Sequence, residues 1–218
     1  MPQNNGFFKQ NQLVILSLVL AFLIGGFVYF VGNSEPLFVK PQAGNATNAT
    51  ASFQSDSGQP DIGGAFTMKN QDGEKVTQSI LKGHNTLMFF GFTHCPDICP
   101  MSLATITDAL EQLPQEKRDD YQVIFVTVDP ARDTPELMKE YLANFDPNYI
   151  GLSGTKKQLK DMAAKYLVYY AKNPDSHPEH YLMDHTAYIY HFDPKGEYVA
   201  HYSHQIDPQA LADNLQDN

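Results

Sequence analysis

Cysteine is scarce in this chain: there are two among 218 residues, both within one short stretch. That excludes a disulfide-dense scaffold, and the length is enough to bury a core without such staples. Basic side chains are also few. Lys and Arg number 15 against 25 Asp and Glu, for a formal net charge of −10 and a pI near 5.1. Phosphate recognition needs clustered Lys and Arg, so no nucleic-acid partner is expected. Hydrophobic residues make up 42% and charged residues 18%, ordinary values that exclude wholesale disorder. No internal repeat is present.

What charge there is lies unevenly. Residues 1–60 carry Lys9, Lys40, Glu35 and Asp56, which cancel, so the whole of the −10 falls on residues 61–218. After a short tail (1–12), residues 13–31 form an uncharged apolar run, LVILSLVLAFLIGGFVYFV. As a helix it would span roughly 28 Å, about the hydrocarbon core of a bilayer. The run exceeds a usual signal-peptide core, no A-x-A-like cleavage site follows, and no Cys is there for lipoprotein processing. The expectation is an uncleaved transmembrane helix, with a cleaved signal peptide as the competing reading. Lys9 before the span and Glu35 after it place the large domain outside. Residues 32–60 are polar and of low complexity (NATNATAS), a flexible linker with sequons at Asn45 and Asn48.

From Asp61 on, strand and helix patterns alternate. A hairpin turns at Asp72-Gly73, and buried strands are expected at Asn85–Phe92 and Tyr121–Val128. Helices are expected over Met101–Leu113, from Pro135 to about Phe145 behind a Thr134 cap, and over Thr155–Tyr166. Ile150–Leu152, Leu167–Ala171, Thr186–Phe192 and Glu197–Tyr202 read as strands, and Asp207-Pro208 opens a last helix. This order predicts one α/β domain with a mixed sheet flanked by helices over 61–218.

Chemistry concentrates in GFTHCPDICP, residues 91–100, where a buried strand hands over to a helix. Pro100 fits the first helical position, which puts Cys99 at or near the N-cap and Cys95 in the turn before it. A helix N-terminus favours thiolates. Such a pair can bind a soft metal or close a disulfide. Among the eight histidines, His185 stands out, because it precedes a strand and a loop end there can meet the cysteine turn. His94, next to Cys95, is a further ligand or a supporting residue. His177 and His180 flank Pro178 in a polar loop and offer at most auxiliary metal binding. Asp129 follows the second buried strand, either as part of a turn and helix cap or as a residue near the metal that tunes a thiol or docks a partner.

GFTHCPDICP, VTVDPARDTPE and YLMDHTAYIYHFDPKG, in this order and spacing, resemble the Sco/SenC family of copper proteins. The resemblance covers about residues 61–218, and an N-terminal anchor is usual in that family. It implies a thioredoxin-like fold and copper ligands at Cys95, Cys99 and His185. Two thiolates and an imidazole suit Cu(I) and can hold Cu(II); zinc is the chemical competitor for the same donors. The resemblance further implies copper delivery to the binuclear site of cytochrome c oxidase subunit II. Copper donor proteins and thiol-disulfide reductases would be partners. The location would be the bacterial inner membrane with the domain in the periplasm, or the mitochondrial inner membrane in a eukaryote. The alternative is a thiol-disulfide oxidoreductase with Cys95 and Cys99 as its redox pair, although C-x-x-x-C departs from the C-x-x-C motif. A thioredoxin-superfamily peroxidase, with Cys95 oxidised by peroxide, is a third reading.

Overall fold

The computed structural model describes residues 61–216. The tail, the expected membrane span at 13–31, the linker and the two sequons lie outside the described residues. Among the described residues, no helix is long and apolar enough to cross a membrane.

The elements are β1 (Thr67–Asn70), β2 (Lys75–Thr77), a 3-10 turn (Gln78–Leu81), β3 (Asn85–Gly91), α1 (Ile98–Glu111), α2 (Gln115–Arg118), β4 (Tyr121–Thr127), α3 (Pro135–Leu142), β5 (Ile150–Ser153), α4 (Lys156–Lys165), β6 (Tyr170–Lys172), β7 (Met183–His185), β8 (Tyr188–Phe192), β9 (Tyr198–Ser203) and α5 (Pro208–Gln216). One mixed sheet runs β2-β1-β5-β4-β3-β8-β9, and β6 and β7 form a separate ribbon. The expected α/β layering with a mixed sheet flanked by helices is what the chain adopts. α1 packs against α5, α3 against β5 and α4 against β1.

The centre is apolar for a topological reason. β3 pairs in parallel with β4 and antiparallel with β8. A strand covered on both faces reads as a continuous apolar run, and every residue of Thr86–Gly91 is buried. Phe89, Phe90 and Phe125 fill the middle of the core. Parallel strands release their C-terminal loops side by side. Gly91 pairs with Thr127, and Val128 N–H donates to the Gly91 carbonyl at 2.7 Å. The cysteine segment and the segment 128–133 therefore leave the sheet as neighbours. Because β8 runs antiparallel to β3 with Ile189 opposite Phe89, the residues just before β8 arrive at the same edge.

Several boundaries differ from expectation. Helix α1 begins at Ile98 behind an Asp97 N-cap, so Cys99 lies inside the first turn, not at the cap. Pro100 is tolerated there because the first N–H groups of a helix have no intrahelical partner to lose. Leu167 takes a left-handed φ of 52°, which breaks the strand expected from that residue and delays β6 to Tyr170. Met183–His185 pairs with β6 as a strand of its own, where a loop end was expected. Helix α3 stops at Leu142, short of Phe145.

Candidate metal centre

Cys95 and Cys99 are both free thiols, the first half-buried and the second buried. Gly91 makes room for them: a Cβ there would lie 2.8 Å from Cys99 Sγ and 2.8 Å from the Phe125 ring. The Cys99 backbone N–H points at Cys95 Sγ, 3.5 Å away. On the other side, His185 Nε2 lies 3.6 Å from Cys99 Sγ. His185 Nδ1 is 3.0 Å from the Thr186 carbonyl, which can only accept. That bond assigns the proton to Nδ1 and leaves the Nε2 lone pair facing the sulfurs. The rings of Phe89 and Phe92 meet His185 edge-on at 6.1 and 5.9 Å and hold its plane.

The thiols are electrically unequal. Cys95 is pulled from 9.0 to about 4, chiefly by the hydrogen bond from Cys99. Burial opposes the shift, while the backbone N–H groups of Asp97 and Cys99 assist it. Cys99 is driven up by that same hydrogen bond and by burial. The pair is best written as a Cys95 thiolate accepting from a Cys99 thiol: one negative charge and one retained proton.

These residues fit a soft metal ion. Two ligands on one ion, with bonds of about 2.3 Å to sulfur and 2.0 Å to nitrogen, stand about 3.5–3.7 Å apart at trigonal to tetrahedral angles. The Cys99–His185 contact of 3.6 Å falls within that spacing. Among the described residues, no three His, Cys, Asp or Glu side chains stand together as a ready-made metal cage, so the third donor has to close in on the ion.

The other expected residues fall differently. His94 turns Nδ1 to Thr93 Oγ1 at 3.1 Å and to Asp133 at 3.6 Å, so that nitrogen is engaged with the Thr93–Asp133 pair. Asp129 is buried, and its carboxylate accepts from Arg132 and from Tyr181, reaching the ribbon and not the thiols. His177 and His180 stack on each other at 5.5 Å in an exposed loop.

Sequence reasoning missed Asp133. It is 1% exposed and accepts from Thr93 N, Thr93 Oγ1 and Thr127 Oγ1, tying the cysteine segment to the end of β4. No local signal could have found it, because Thr93 lies far away in sequence and meets it only through the pairing of β3 with β4. Tyr141 was missed as well: its hydroxyl is buried without a hydrogen-bond partner, and its acidity is suppressed first by burial and then by Cys99 and Cys95.

Comparison with known proteins bears directly on this arrangement. The SCO1/SenC family model matches residues 54–218. A SCO2-like protein of Rickettsia prowazekii is 39% identical over 203 residues, covering 93% of this chain and 95% of that protein. The structure of Bradyrhizobium japonicum ScoI with copper bound is 43% identical, with a TM-score of 0.65, over 72% of this chain and 98% of its own. BsSco, described as a member of the Sco family of cytochrome c oxidase assembly proteins with a disulfide switch, is 30% identical. Its TM-score is 0.55, over 71% of this chain and 89% of its own.

Proposed function

The chain belongs to the SCO1/SenC family, and from that premise we propose that it carries one copper ion on Cys95, Cys99 and His185 for the assembly of cytochrome c oxidase. The observation that carries the ligand assignment is the approach of His185 Nε2 to Cys99 Sγ beside an ionised Cys95. Copper is cargo here. Soft thiolates and one imidazole select Cu(I) over harder ions, and a three-donor set leaves room for an incoming sulfur before an outgoing one departs. Loading expels the proton held by Cys99, since only thiolates ligate. The relative solved with copper supports the choice of metal.

The acceptor in this reading is the binuclear copper site of oxidase subunit II. Residues 13–31 anchor the chain in the inner membrane of a bacterium or mitochondrion, with the domain on the outer side. Equilibrium dialysis of copper against full-length Cys95→Ala, Cys99→Ala and His185→Ala is the test. Each variant should lose at least tenfold in affinity; wild-type affinity in either cysteine variant sinks the assignment.

A second reading has its own observation. A thiolate beside a buried thiol is also the reduced form of a disulfide-exchange pair. Cys95 would attack a substrate disulfide and release one thiolate. Cys99 would then lose its proton and displace the second, leaving the substrate reduced by two electrons and a Cys95–Cys99 disulfide. Strains carrying His185→Ala or Cys99→Ala at limiting copper separate the two roles. Equal loss of oxidase activity supports delivery; normal oxidase in the His185 strain alone supports exchange.

A further inference from the structure

His185 reaches the cysteines without belonging to the main sheet. Its strand β7 pairs with β6, and this two-stranded ribbon is separate from the seven-stranded sheet. Such a ribbon is marginally stable alone, so the side chains beneath it set where it lies. Exposure alternates through β7 and the two residues before it, which Asn173 N–H ties to β6 by a bond to the Leu182 carbonyl: Tyr181, Met183 and His185 are half-buried, whereas Leu182 and Asp184 are exposed. In extended chain that alternation puts three inward residues on one face. His185 meets the thiols, and Met183 packs against the core.

Tyr181, the third, sits in a polar clasp. The Arg132 guanidinium lies 3.6 Å from its ring centroid, and Lys172 Nζ, from β6, lies 3.9 Å away. The phenol donates to Asp129 Oδ1 at 3.0 Å, and Asp129 Oδ2 accepts from Arg132 Nε at 2.5 Å. Asp129 is 4% exposed and belongs to the loop that follows β4. One aromatic ring thus joins both sides of the ribbon to the loop beside the cysteine segment.

We infer that Tyr181 is a positioning residue for His185: clasped by Arg132, Lys172 and Asp129, it fixes the ribbon so that the imidazole stays on the copper. The inference deepens the proposed copper role and rests on it. Four steps of extended chain, about 13 Å, take Tyr181 to His185, so it acts without touching the metal. Loosening the clasp lets the ribbon drift, and the ion is then held by two thiolates for part of the time.

The test uses the full-length chain in detergent, reduced and loaded with Cu(I). The release rate is read with an excess of a chromogenic Cu(I) chelator, and the thiolate-to-copper absorption spectrum is read on the Cu(II) form. Tyr181→Leu should release copper about tenfold faster and shift the spectrum towards that of His185→Ala. Tyr181→Phe keeps the ring for both cations and should retain the wild-type spectrum, with release up about threefold. In the His185→Ala background, Tyr181→Leu should add nothing. Wild-type release and spectrum in Tyr181→Leu, or the same added loss with and without His185, overturns the inference. If His185→Ala itself behaves as wild type, the ligand assignment has failed and the inference falls with it. Should Tyr181→Leu misfold, exposed Lys172→Gln removes one cation from the clasp. It should raise release about threefold, and no change there overturns the inference.

Discussion

Titrating Cys95 in the reduced, metal-free chain tests the electrostatics of the site at its origin. An ordinary thiol with a pKa of 9.0 is about 0.1% ionised at pH 6, whereas one lowered to about 4 is about 99% ionised. The thiolate population therefore rises roughly a thousandfold. Reactivity rises much less, because the nucleophilicity of a thiolate falls with its pKa at a slope of about 0.4–0.5. Over five pKa units that removes about two powers of ten. The net gain in alkylation at pH 6 is about tenfold, so the midpoint of the pH profile, and not the absolute rate, is the diagnostic quantity. Alkylation of Cys95 by iodoacetamide, followed by peptide mass spectrometry, should be flat through neutral pH and fall through a midpoint near 4. In Cys99→Ala the largest stabiliser of the thiolate is gone, and the midpoint should move up. The linkage has a definite sign. A depressed folded pKa contributes stability in full above 9.0, and that stability is lost as pH falls towards about 4. A wild-type midpoint near 9, or one that ignores Cys99→Ala, would refute the proton-sharing account.

Two further perturbations probe the frame around the site. Gly91→Ala would force a methyl to within 2.8 Å of Cys99 Sγ and Phe125, and 3.1 Å of Phe89. Overpacking should cost about 1–3 kcal/mol, and each kcal/mol should lower the thermal midpoint by roughly 2–4 °C. Copper release should quicken as the sulfur is displaced; unchanged melting and release would show that the strand end is more yielding than its packing implies. His191 is fully buried, with neither ring nitrogen hydrogen-bonded, and burial pulls it from 6.5 to about 4. The unfolded chain therefore takes up this proton first, and stability falls from pH 6.5 towards 4 by a total of about 3 kcal/mol. His191→Phe should flatten that part of the profile in urea unfolding at pH 7 and pH 4.5; an unchanged slope would assign the acid sensitivity elsewhere.

The residues most legible from sequence were those whose chemistry and local signals coincide. Apolar β-rich runs marked β3 and β4, Thr134 and Thr155 marked helix starts, and Pro100 marked the helix entry beside the cysteines. The start of α1 was harder to read. Pro100 satisfies the first turn at its third position as well as at its first, and only the bond from Met101 N–H to the Asp97 carbonyl fixes the register. Leu167 gave no warning, because a leucine in left-handed backbone is a consequence of packing around it and not of local preference. Asp129 and Asp133 sit four apart in one loop, and sequence singled out the first. The fold gives the neighbour the role expected of it: Asp129 serves the ribbon side through Tyr181, and Asp133 serves the cysteine segment through Thr93. Which carboxylate faces which segment depends on the pairing of Gly91 with Thr127, a long-range contact that no local pattern encodes.

The shared proton explains why one pair of cysteines supports two readings so evenly. Copper binding and disulfide formation both begin from the Cys95 thiolate, and both require Cys99 to give up the proton that the pair retains. Up to that step the two chemistries make the same demand on the protein. They diverge at His185. A disulfide needs only the two sulfurs, whereas a soft ion gains a third donor from Nε2, whose lone pair is freed by the bond between Nδ1–H and the Thr186 carbonyl. That bond and the two phenylalanine rings around the imidazole do nothing for sulfur exchange. A fold that served exchange alone would have no use for orienting this ring. The structure spends a separate ribbon on placing it, and of the two proposed roles only the copper role makes use of that placement.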